Sequence, residues 1–158
     1  MKRYVPLVFL LFCALLCACA PKWQTYLAPF DAAFETNIEG EYRGVTFAAK
    51  LTCEAACDGV RPATLTFYAP SSLCGTVLSR DNAGALALSV GDVTLTAPTN
   101  YAALLDVFSV PRAGTIAREG TRTRVSGEGY SLLFAEDGTP LSVTNGDVNV
   151  RVLSFSKT

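Results

Sequence analysis

Apolar and polar residues alternate with a period of two along most of this chain. Thr36, Ile38, Gly40 and Tyr42 interleave with Glu35, Asn37, Glu39 and Glu41. After Arg43-Gly44, a tight-turn signal, Val45, Phe47, Ala49, Leu51 and Cys53 interleave with Thr46, Ala48, Lys50 and Thr52. Successive side chains of a strand point to opposite faces, so this spacing predicts a hairpin with one wet face. Ala63, Leu65, Phe67 and Ala69 repeat the pattern, and Pro70, which has no N–H to give to a ladder, ends it.

Further short strands fit residues 75–80, 85–90 and 93–97, punctuated by Asp81-Asn82-Ala83-Gly84 and Gly91-Asp92. Strands return at 114–118, 121–126, 129–135, 140–144 and 147–155, and Asn145-Gly146 is the strongest hairpin signal in the chain. The period lengthens in two places. Tyr26, Leu27, Phe30, Ala33 and Phe34 recur at helical spacing, and so do Leu104, Leu105 and Phe108. Helices are therefore expected over about 24–33 and 101–108, dividing sheet regions at about 34–97 and 114–155. The expected fold is mainly β (α+β), a long antiparallel meander of about ten strands.

The first residues read differently. Lys2 and Arg3 precede an apolar run over 4–16 and the small residues Cys17, Ala18, Cys19 and Ala20, the layout of a secretory signal. The run is too short to span a bilayer comfortably. Leu16-Cys17-Ala18-Cys19 resembles the bacterial lipobox, with Leu three before an acceptor Cys and a small residue just before it. The resemblance implies cleavage after residue 18 and a diacylglyceryl thioether on Cys19. Cys17 is the competing acceptor and fits worse, because bulky Leu16 precedes it. Two acyl chains anchor stably where one binds marginally. The expected unit is then a single domain over 19–158, tethered to the extracytoplasmic face of the cell membrane.

Composition excludes several classes. Apolar residues make up 50% of the 158 and charged ones 17%, and the formal charge is −1. That suits one packed core and not a disordered chain. No basic excess exists to neutralise phosphates, so nucleic acid is not an expected partner. Without histidine there is no imidazole base or metal ligand, and no metal or cofactor is expected. Cys53, Cys57 and Cys74 remain in the domain, in an oxidising compartment. Three thiols allow one intramolecular bond: Cys53–Cys57, closing a small ring, or Cys53–Cys74, tying the loop to the next strand connection. Glu39 and Glu41 share a strand face, where carboxylate pairs can do acid–base work, but such a pair also suits a solvated edge. Ser71-Ser72 lacks a base, and no catalytic residue is expected. Arg118, Arg122 and Arg124 form a local basic run that could meet lipid headgroups.

The punctuation of the strands is more particular. The third predicted strand runs on into Pro70-Ser71-Ser72-Leu73-Cys74-Gly75, and a late one, ending Leu132-Leu133-Phe134, leads into Asp137-Gly138-Thr139-Pro140. These features, over roughly residues 26–156, resemble the LolA/LppX-like lipoprotein-carrier superfamily and its small bacterial lipoproteins. The resemblance implies a strongly curved antiparallel sheet, an open half-barrel, with one or two short helices on its concave side. That side would hold a lipid or acyl chain against Phe47, Leu51, Leu65, Phe67, Leu86, Leu88, Val93, Leu95, Leu132, Phe134, Val148, Val150 and Val152. The same residues could equally pack on the helices as ordinary core. Function is accordingly expected to be non-catalytic binding of a lipid, an acyl-bearing molecule or an envelope protein. The alternative is a structural or assembly lipoprotein acting through protein contact or dimerisation.

Overall fold

The hairpin at Arg43-Gly44 forms with both turn residues at positive φ (50° and 81°), the mirror-image turn that matches strand twist. It joins β1 (Phe34–Tyr42) to β2 (Val45–Cys53). The chain then meanders outward through β3 (Ala63–Ala69), β4 (Thr76–Arg80), β5 (Leu86–Val90) and β6 (Val93–Thr96). After a crossing segment it meanders back through β7 (Thr115–Glu119), β8 (Arg122–Gly127), β9 (Tyr130–Phe134), β10 (Pro140–Asn145) and β11 (Val148–Lys157). The last strand pairs with the first, so the sheet order is β6-β5-β4-β3-β2-β1-β11-β10-β9-β8-β7, antiparallel throughout. This computed structural model describes residues 23–111 and 113–158. The expected signal and Cys19, the expected lipid acceptor, lie outside the described residues.

The sheet is open, with β6 and β7 as its edges. It curls around what crosses its inner face. That face carries the in-phase residues of the long strands: Phe34, Thr36, Ile38 and Tyr42 of β1, Phe47, Ala49 and Leu51 of β2, Leu65 and Phe67 of β3, and Val148 and Val150 of β11, all buried. Gly40 continues the phase on β1 without a side chain, because a Cβ there would run into the Asn149 carbonyl oxygen and lie 2.8 Å from Val150 Cα. β1 and β11 approach closely at that point, where only glycine fits.

Both expected helices are present and shorter than their spacing predicts. The first is α1 (Trp23–Leu27), followed by a 3₁₀ turn at Ala28–Phe30 with Pro29 inside it. The second is a 3₁₀ turn at Thr99–Tyr101 leading into α2 (Ala102–Leu105). α2 stops at Asp106, whose backbone (φ −96°, ψ 12°) leaves the helical region and whose carboxylate is drawn to Arg80.

These two segments plug the concave side. Phe30 meets Phe34, Phe108, Phe134 and Phe155 with ring centroids 5.0 to 6.2 Å apart. Such pairs contribute about 0.5–1.5 kcal/mol each beyond their buried area. One aromatic cluster thereby joins β1, β9 and β11 to both plug segments. The Tyr26 and Thr123 hydroxyls, 3.3 Å apart, tie α1 to β8. At the opposite end Tyr42 donates from its hydroxyl to the Asn100 carbonyl (2.9 Å), holding the start of the second segment against β1.

Candidate functional site

The plug does not cover the whole inner face. Between α2 and strands β1 to β5 lies a cleft of about 370 Å³, lined by Tyr42, Arg43, Val45, Phe47, Phe67, Leu73, Thr76, Leu78, Leu88, Asn100, Tyr101 and Leu104. Its size is at the lower end of the range for small-molecule sites, and its lining has their usual character, mostly apolar with a few polar groups. Each strand sends in one or two residues of its inward phase, since the register pairs Leu65 with Leu78 and Leu78 with Leu88. Leu95 on β6 pairs with Leu88, and Val93 with Val90, on the same face. Val90, Val93 and Leu95 are 57%, 59% and 62% exposed, so an apolar strip runs from the cleft to the free edge.

Of the thirteen residues that the sequence nominates for a groove, three line this cleft: Phe47, Phe67 and Leu88. Leu51, Leu65, Leu132, Phe134, Val148 and Val150 are closed core, at most 1% exposed. Leu86 and Val152 are half-buried against that core, and Val93 and Leu95 stand open on β6. Alternation identifies the inward face but not where the plug rests on it. Arg43, Tyr101 and Leu104 complete the cleft from a turn and a helix, which a strand period does not reach.

Cys53, Cys57 and Cys74 are all free thiols, so neither candidate disulfide is formed. Cys53 and Cys57 lie in different environments. Cys53 ends β2 in the inward phase and is 2% exposed, and burial pushes its thiol up to about 12. Cys57 sits in the exposed loop, its backbone bridged to Val60 and its sulfur towards Asp58.

The arginine run is divided between two faces. Arg118 pairs across the ladder with inward-facing Thr123, whereas Arg122 and Arg124 share the outer face with Glu119. Arg124 is held by both carboxylate oxygens of Glu119 (2.6 and 3.1 Å) and by the Ser131 hydroxyl (3.0 Å). Glu39 on the outer face is ion-paired to Arg151, in a broad depression of about 710 Å³ where Glu41 also lies. Among the described residues no three His, Cys, Asp or Glu come together as metal ligands, and no helix is long and apolar enough to cross a membrane.

Compared with known proteins, the chain matches no family model and no curated protein. Its likeness is to solved structures. MucB is 16% identical over 89% of this chain and 59% of its own, with a TM-score of 0.50. An uncharacterized conserved protein from Thermus thermophilus is 12% identical, covering 87% and 86% of the two chains, with a TM-score of 0.49. A LolA superfamily protein from Nitrosomonas europaea is 8% identical over 88% and 94%, with a TM-score of 0.40. The chain thus shares its fold with MucB, and it spans under two thirds of MucB's length.

Proposed function

We propose that this protein is a non-catalytic binding module, held at the extracytoplasmic membrane surface through Cys19, whose concave cleft accepts an acyl-bearing ligand. The observation that carries this reading is the uncovered apolar cleft of about 370 Å³, open on one side to Val90, Val93 and Leu95. A dry, narrow groove favours hydrocarbon, because every buried CH₂ contributes ~0.8 kcal/mol. The tether suits the same ligand. Cys19 is four positions before Trp23, so an anchored domain would stay within roughly 14 Å of the bilayer, the reach of four extended residues.

Native mass spectrometry of the full chain, released from membranes in mild detergent, tests the reading. The expected result is a co-purifying lipid or fatty acid. It should be lost in Leu88→Trp, which fills the cleft from a half-buried position, and retained in Leu153→Trp, on an exposed site of β11. A chain that is ligand-free, or whose lipid survives Leu88→Trp, would overturn it.

A second reading, docking of an envelope protein or a second copy on the sheet edge, is favoured by one feature. β6 (Val93–Thr96) is exposed at all four positions and carries no charge, whereas natural edges are usually guarded by charge or proline.

A further inference from the structure

The cleft is not chemically uniform. Arg43 is the one charged residue in its lining, and it stands at the rim, on the hairpin turn between β1 and β2. Its guanidinium lies over the Tyr42 ring, 5.2 Å from the centroid, and Tyr42 is itself fixed by its hydrogen bond to Asn100. The cation is thus propped on a rigid aromatic shelf at the mouth of a hydrocarbon-lined slot. Stacking of this kind orients the guanidinium and leaves its N–H edge for other partners.

Asp147, on the β10–β11 turn, accepts from Arg43 Nε at 3.2 Å. Both side chains of that pair are more than half exposed, at 55% and 64%, so it is a weak, solvent-screened contact. It engages Nε, whereas the fork that binds an oxyanion in bidentate fashion includes the terminal nitrogens.

Building on the acyl-binding reading of the same cleft, we infer that Arg43 selects the ligand's head: the preferred occupant is a single-chain amphiphile whose oxyanion meets the Arg43 guanidinium while its tail lies against Phe47, Phe67 and Leu88. The complementarity is of charge and shape together. One cation stands at one end of an apolar slot, and the slot's volume suits one chain rather than several.

Photolabelling of the full chain in phosphatidylcholine nanodiscs tests this, using a diazirine-bearing dodecanoic acid and the matching dodecanol, with labelled peptides mapped by mass spectrometry. In the wild type both probes should label cleft peptides, the acid at the lower concentration. Arg43→Gln should raise the half-saturating concentration of the acid about tenfold, the loss of one charge-assisted contact, and leave the alcohol within twofold. Asp147→Asn, which removes the competing carboxylate, should lower that concentration for the acid. If both probes label the cleft and Arg43→Gln leaves them unchanged or weakens them equally, head selection by Arg43 is refuted and the cleft reading stands. If neither probe labels the cleft, the cleft reading itself fails and this inference with it.

Discussion

Arg80 of β4 and Asn145 of β10 hold the same residue, Asp106, from strands five places apart in the sheet. Arg80 clasps the Asp106 carboxylate with Nη1 and Nη2 at 2.8 and 2.7 Å, and Asn145 Nδ2 donates to the Asp106 carbonyl at 3.1 Å. In a flat sheet those strands would be ~24 Å apart, five spacings of about 4.8 Å. The shared partner is therefore a direct measure of curl. It also fixes where the plug lies, and hence how much of the inner face remains open.

Breaking that clasp should cost more than an ordinary surface pair. The Arg80 side chain is only 12% exposed, and its Nε donates to the Arg61 carbonyl at 2.8 Å, so loss of the carboxylate strands a cation in a confined place. Asp106→Asn is expected to destabilise by about 2 kcal/mol, discounted from the buried-pair range because Asp106 is itself partly exposed. The double change Arg80→Met with Asp106→Leu should recover most of the loss. Urea denaturation of Asp106→Asn gives the first quantity, and the wild type, Arg80→Met, Asp106→Leu and their double variant give the coupling as a double-mutant cycle.

The buried Cys53 thiol makes stability depend on alkaline pH. In the folded chain burial raises it from an ordinary 9.0 to about 12, against the smaller opposing effects of Arg61 and Arg80. The unfolded chain ionises first, so the contribution is complete below pH 9 and is lost as pH rises towards 12. The slope for one proton is about 1.4 kcal/mol per pH unit. Cys53→Ala should be less stable near neutrality, and its deficit against the wild type should shrink between pH 9 and pH 11. In iodoacetamide labelling followed by peptide mapping, Cys57 and Cys74 should react in the native protein and Cys53 only in denaturant.

The alternation of residues made most of this architecture readable. The hairpin signal at Arg43-Gly44 sets its turn, the one at Asn145-Gly146 falls one residue early because Asn145 still pairs with Val148 and the turn is Gly146-Asp147, and β1, β2 and β3 run over the residues that their period picks out. The closure of β1 on β11 was not legible, since Gly40 looks like any other member of its alternation until Val150 is placed beside it. The clasp had half a signal. Arg80 falls in the inward phase of Thr76 and Leu78, and an inward charge must find a partner. That the partner is Asp106 depends on how the chain crosses the concavity, which no local period encodes. The cleft was legible only as an apolar face, because its rim comes from the turn at Arg43 and from Asn100 and Tyr101.

Gly40→Ala isolates the β1–β11 junction. The added methyl would meet backbone atoms, the Asn149 carbonyl and Val150 Cα, which cannot rotate away as a flexible side chain can. Relief requires the two central strands to part. We expect a loss of at least ~2 kcal/mol, within the range for overpacking, visible as a lower midpoint in thermal unfolding. Gly44→Ala should act through the backbone instead: nothing lies within 4 Å of its added methyl, and its φ of 81° carries the whole penalty.

The edge strand β6 separates what holds the fold from what the fold exposes. Val93 and Leu95 face the concave side but lie beyond the reach of α2, and each is more than half exposed. They bury too little to contribute much to the core, so Val93→Lys with Leu95→Lys should change folding free energy by no more than about 0.5 kcal/mol per site. Their effect should fall on association. An uncharged, exposed edge offers unpaired N–H and C=O groups to another strand, and lysine there blocks such pairing. β7 presents the contrast, carrying Arg118 and Glu119. Analytical ultracentrifugation of the detergent-solubilised full chain should show less self-association in the double-lysine variant at unchanged thermal midpoint. A parallel Arg118→Ala, Glu119→Ala pair on the other edge should increase it. Loss of stability in the lysine variant would instead place Val93 and Leu95 among the residues that hold the sheet together.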